Sequence, residues 1–97
     1  MNDEVTEDEI TARLANLPDW KREGQCITRT YTMSDFAHAL GFVVEVGVLA
    51  EAAGHHPDIT LRGWNKVDIT VSSHDTGALT KRDFDLADKI AAAHTKR

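Results

Sequence analysis

Ninety-seven residues, 41 % hydrophobic and 28 % charged, suit a single folded domain over positions 1–97 and lie away from the apolar-poor, charge-rich composition of disordered chains. Eleven basic against sixteen acidic side chains give a formal charge of -5, with no dense basic cluster ahead of the short tail at 94–97, which argues against nucleic-acid binding through the phosphate backbone. Cys26, the single cysteine, excludes an intrachain disulfide and a cysteine-based zinc site and suits a cytoplasmic setting, while an acidic start and no expected apolar run of roughly 18 residues argue against a signal peptide and a membrane span.

Thr6 and Glu9 have capping-box spacing, and Ile10, Leu14 and Leu17 recur at helical intervals until Pro18, which predicts a short first helix. The segments "WKREGQ" and "CITRTYTM", separated by Gly24 and rich in Thr, Ile and Tyr, predict a β-hairpin. Arg29 lies on the same strand face as Ile27 and Tyr31, an odd place for a charge unless the side chain snorkels to the sheet edge.

Ser34 or Asp35 caps the next segment, "SDFAHALGFVVEVGVLAEAAG", a helix of about five turns that Gly54 ends and Pro57 keeps from resuming. Phe36, Ala39, Leu40, Val43, Val46, Gly47 and Ala50 form its expected apolar face, and Phe42, Val44, Val48 and Leu49 extend that face almost all the way round. A helix this apolar needs covering on more than one side, so a homodimer or homotetramer is expected.

"DITLR" and "KVDITVSS" predict two more strands; the second sets Val67, Ile69 and Val71 on one face and Asp68, Thr70 and Ser72 on the other. Thr80 then caps a third helix with Phe84, Ala87, Ile90 and Ala91 as its buried stripe. The order α-β-β-α-β-β-α implies an α+β domain: one four-stranded antiparallel sheet with three helices packed on one face.

His55 and His56 stand between Gly54 and Pro57, and histidine, with an unperturbed pKa of about 6.5, is the side chain best suited to moving protons near neutral pH. The plainer alternative has His55 capping the last helical carbonyls with His56 solvated. A metal site drawn from His55, His56, His74 and Glu51 fits no closed zinc signature, and no nucleotide or hydrolase motif is present, so no metal or cofactor is expected. His74 shares its strand face with Asp68, Thr70 and Ser72, a pocket rim or plain surface. Asp83, three residues after Thr80, completes a capping box, with a contact to His74 also open. Glu51, one turn before His55, either holds an imidazole or is a solvated carboxylate, and Trp64 enters a strand where packing is its ordinary role.

The series Glu51, His55-His56-Pro57, Trp64, His74 and Asp83, with the flanks "GFVVEVGVLAEAAGHHPDI", "WNKVDITVSSHD" and "GALTKRDFDLA", resembles the signature of the pterin-4a-carbinolamine dehydratases over nearly the whole chain. The resemblance implies cofactor-free loss of water from a 4a-hydroxytetrahydropterin to give the quinonoid dihydropterin, recycling the pterin used by aromatic amino acid hydroxylases. It implies His55 and His74 as the proton-transfer pair, His56 as a residue that binds and orients the ring, Asp83 as a supporting carboxylate, and Glu51 and Trp64 as substrate contacts. A hydroxylase or another protein is an implied partner. Relatives with this scaffold also serve as dimerisation or assembly partners, so a non-catalytic role is the rival expectation.

Overall fold

A computed structural model of the chain describes residues 4–97. Its elements follow the expected order: α1 (Glu7–Ala15), β1 (Lys21–Glu23), β2 (Cys26–Thr32), α2 (Phe36–Ala53), β3 (Asp58–Arg62), β4 (Lys66–Val71) and α3 (Lys81–Thr95). The reciprocal Thr6–Glu9 capping box starts α1, with bonds of 3.0 and 3.1 Å. Asp35, rather than Ser34, caps α2, accepting from the His38 N–H at 2.7 Å.

The four strands form one antiparallel sheet in the order β1-β2-β4-β3. Alternation along β4 buries Val67, Ile69 and Val71 against the helices and leaves Asp68 and Thr70 on the open face, as the period of two requires. Register decides what lies where: Asp58 pairs with Thr70, so the chain entering β3 runs beside the chain leaving β4. The other end of the same pair closes at Arg62 and Lys66.

The core lies between this sheet and α2 and α3. Tyr31 is its largest fully buried side chain; the Trp20 indole N–H donates to its hydroxyl at 3.2 Å and Phe42 packs edge-on at 5.0 Å. Arg29 does snorkel: its guanidinium lies 4.0 Å above the Tyr31 ring and donates to the Pro18 carbonyl at 3.0 Å.

Helix α2 corrects two expectations. The anticipated apolar face is split: Ala39, Val46 and Ala50 are buried together with Phe42, whereas Phe36, Leu40, Val44 and Val48, at steps of four, are 47–64 % exposed. The sequence also implies no apolar run long enough for a membrane span, yet the helix has 18 residues and a mean hydropathy of 1.6, long and apolar enough by length and composition. One face packs into this chain's own core, and the helix carries Glu45 and Glu51 as well.

Candidate active site

The site forms where the chain leaves α2 and where it leaves β4. Gly54 adopts φ 64°, left-handed, and its N–H reaches the carbonyls of Ala50 and Glu51. The His55 N–H bonds back to Ala50 O at 3.1 Å, so the helix ends in a Schellman motif that a residue with a Cβ would strain. That reversal sends His55 and His56 to different surroundings.

His55 turns inward and is 7 % exposed. Its Nε2 lies 2.6 Å from Asp83 Oδ1 on the first turn of α3. The carboxylate therefore meets His55, not His74 as the sequence left open, and the His55 side chain is spent on this pair rather than on the helix carbonyls. Asp83 keeps its capping role, with Oδ2 accepting from the Thr80 N–H at 2.9 Å. His56 turns outward, and its Nε2 meets Glu51 Oε1 at 2.9 Å with both side chains largely solvent-exposed. Glu51 thus serves the second histidine, not the first.

His74 sits on the turn after β4, exposed, with Nε2 a loose 3.4 Å from Ser72 Oγ. The three imidazoles share a geometry. Each has Nε2 directed at a protein oxygen, and none of these three Nδ1 atoms has a hydrogen-bond partner among the described residues. Where the oxygen belongs to a carboxylate, which only accepts, Nε2 carries the proton and Nδ1 remains for a ligand.

His55, His56 and His74 line one recess of about 240 Å³ with Gly54, Ser72, Asp75 and Arg82. Asp75 and Arg82 carry no motif of their own; their opposite charges seven positions apart, across the turn between "HD" and "KRD", are the available signal. The Arg82 guanidinium donates to both Asp75 oxygens at 3.0 Å, which holds the Asp75 carboxyl below its usual range and puts a fixed ion pair on the rim. A larger hollow of about 710 Å³ lies across the open face of the sheet, lined by Thr28, Thr30, Thr60, Asp68 and others. It contains no histidine and follows the broad curve of an uncovered sheet, so the smaller recess is the candidate site.

Trp64 does not join this recess within the chain. It lies in the loop at 63–65, where Gly63 and Trp64 both take positive φ, 54° and 59°. That hairpin closes the opposite end of β3 and β4, five residues of extended strand, or roughly 17 Å, from the histidines. Its indole is 61 % exposed. Among the described residues no three His, Cys, Asp or Glu side chains come together as a metal ligand set.

A family model described as Pterin 4 alpha carbinolamine dehydratase matches residues 3–93. The chain belongs to that family. Relatives from Roseiflexus sp. (strain RS-1) and Chloroflexus aurantiacus (strain ATCC 29366 / DSM 635 / J-10-fl) are 49 % and 48 % identical over 89 % of this chain and 91 % of theirs. Both carry provisional names as pterin-4-alpha-carbinolamine dehydratases. A Brucella melitensis crystal structure described as a transcriptional coactivator/pterin dehydratase superposes with a TM-score of 0.85 at 32 % identity, over 92 % of this chain and 96 % of that one. A pterin dehydratase-like RuBisCO assembly factor of the alpha-carboxysome shares the fold, with a TM-score of 0.61 and 19 % identity over 75 % of this chain and 83 % of that one.

Proposed function

We propose that the chain catalyses dehydration of a 4a-hydroxytetrahydropterin by histidine acid-base chemistry. The observation that carries this reading is the meeting of three imidazoles around one recess, each tethered through Nε2 with Nδ1 unpartnered, in a chain of the dehydratase family. In the reaction the C4a–O bond breaks and C4a=N5 forms. Hydroxide is a poor leaving group, so one imidazolium protonates the departing oxygen while a neutral imidazole takes the proton from N5. The water that leaves contains the original oxygen and hydrogen plus that donated proton. His55 and His74 take these two roles, and His56, held by Glu51, orients the ring. General acid-base help of this kind contributes about 10²- to 10⁴-fold.

Stopped-flow measurement of carbinolamine dehydration with the wild type, His55→Ala and His74→Ala tests this. Each substitution is expected to lower kcat by about 10²-fold. A wild type no faster than the uncatalysed reaction sinks the reading, and a rate unchanged between pH 5 and 9 counts against histidine as the proton carrier.

A second reading, contact with another protein, is favoured by the exposed stripe Phe36, Leu40, Val44 and Val48 on α2. Helices pack through such i, i+4 rows. The occupant proposed here is another copy of the chain, giving a cytoplasmic homodimer or homotetramer that recycles pterin for an aromatic amino acid hydroxylase. Self-association is compatible with catalysis, because the stripe and the histidine recess use different residues.

A further inference from the structure

Between the last residue of β4 and His74 lie two serines. Ser72 belongs to the rim of the recess, but Ser73 is 2 % exposed and has no part in the proton transfers proposed above. Its surroundings are polar and closed. Ser73 Oγ donates to Asp83 Oδ2 at 2.9 Å and lies 2.8 Å from the Thr80 hydroxyl, Thr80 and Asp83 being fully buried.

The direction of these bonds follows from counting protons. Each hydroxyl has one hydrogen, and the Ser73 hydrogen is committed to the carboxylate, so the Thr80 hydroxyl must donate to Ser73. Asp83 Oδ2 then holds two donors, the Ser73 hydroxyl and the Thr80 N–H at 2.9 Å, while Oδ1 is left for His55 Nε2 at 2.6 Å. Without Ser73, Oδ2 would keep only the Thr80 N–H, and the side-chain torsion that sets the carboxylate against the imidazole would lose one of its restraints. The backbone of the same residue shapes the His74 turn. Ser73 O accepts from the N–H groups of Thr76 and Gly77 at 3.3 and 3.0 Å.

We propose that Ser73 is the positioning residue of this site: its hydroxyl locks the Asp83 carboxylate so that His55 keeps its proton on Nε2, and its carbonyl holds the His74 turn. One residue thereby ties together the two histidines assigned to proton transfer. Its role in turnover rests on the dehydratase reading; its effect on the His55 tautomer does not.

The test uses Ser73→Ala, Ser73→Cys and Ser73→Thr in the full chain. Ser73→Cys keeps the side-chain shape with a somewhat larger atom and a weak donor, and carries the test if the alanine variant does not fold. Ser73→Thr restores the hydroxyl. Positioned catalytic groups lose rate steeply when misplaced, so the alanine and cysteine variants are expected to lose about tenfold in kcat with KM within about twofold, and the threonine variant to recover to within about threefold of wild type. In the free protein, nitrogen-15 correlation spectra of the His55 ring are expected to change from one Nε2–H tautomer to a mixture in the alanine and cysteine variants only. Tautomer unchanged in every variant, or threonine no better than alanine, overturns the proposal. If the wild type itself fails to outrun the uncatalysed reaction, the dehydratase reading falls and the tautomer alone decides the role of Ser73.

Discussion

His55 and Asp83 stand 28 positions apart in sequence, yet their side chains meet at 2.6 Å with exposures of only 8 % and 0 %. A carboxylate at the first turn of a helix ordinarily serves that helix alone. Here one oxygen caps α3 and the other holds an imidazole from the end of α2, so helix capping and site geometry share a single side chain.

Asp83→Asn tests that sharing. The amide keeps the shape but turns an NH₂ either toward His55 Nε2–H or toward the Ser73 and Thr80 donors, leaving a buried polar group unmatched. A loss of about 1–3 kcal/mol is expected in urea unfolding. In the dehydration assay kcat should fall by at least about tenfold, because the His55 ring loses its orienting acceptor.

Gly54→Ala addresses the turn that separates the two histidines. A Cβ at this position would meet nothing within 4 Å, so its cost is the left-handed backbone at φ 64° rather than a clash. Thermal unfolding should show a destabilisation of about 1 kcal/mol, with Gly54→Asn costing less because asparagine tolerates that conformation. Equal losses for the two would point to something other than backbone conformation.

Val44→Glu examines the exposed stripe on α2. Both Val44, at 64 %, and Val48, at 63 %, lie open to solvent in a single chain, so the substitution should leave the fold within about 0.5 kcal/mol of wild type. Light scattering should give a wild-type mass that is a multiple of 10.7 kDa and a smaller mass for the variant. A monomeric wild type at micromolar concentration ends the self-association reading.

His94 offers a test by pH. Its ring lies tilted against Tyr31 at 4.5 Å and edge-on to Phe42 at 5.6 Å, and burial, with the Arg29 and Arg97 charges, pushes its pKa below the ordinary histidine value of about 6.5. The unfolded chain therefore takes up this proton first. His94 adds no pH dependence well above 6.5; stability is lost as pH falls through that value and levels off below the lower folded pKa. Urea midpoints at pH 8 and pH 5 should differ less in His94→Phe than in wild type.

Element order was legible in the sequence because period two, period 3.6 and caps are local signals, although β4 ends at Val71, two residues before the expected segment does. The pairing of imidazoles with carboxylates was not. Glu51 lies one helical turn before His55, but the Schellman reversal turns His55 inward and leaves Glu51 to His56. Asp83 is as close to His74 in sequence as a partner need be, but only the packing of α3 on α2 brings it to His55. The division of α2 was hidden for a related reason: a helix apolar almost all round does not announce which stripe its own sheet will cover. The packing expected of Trp64 fails because its place depends on a left-handed pair in the β3–β4 loop, which composition does not reveal.

The two tryptophans also make this chain its own optical instrument. Trp20 is 5 % exposed and hydrogen-bonded within the core, so its emission follows unfolding, whereas Trp64, at 61 % exposure, samples the solvent at the hairpin end. Trp64→Phe leaves a fluorophore for stability measurements, and Trp20→Phe leaves one for docking. A ligand that quenches Trp64 on contact binds at that end of the sheet, whereas one that alters only the imidazole resonances sits among the histidines. Fluorescence and nuclear resonance together thus separate the two ends of one small domain without any added label.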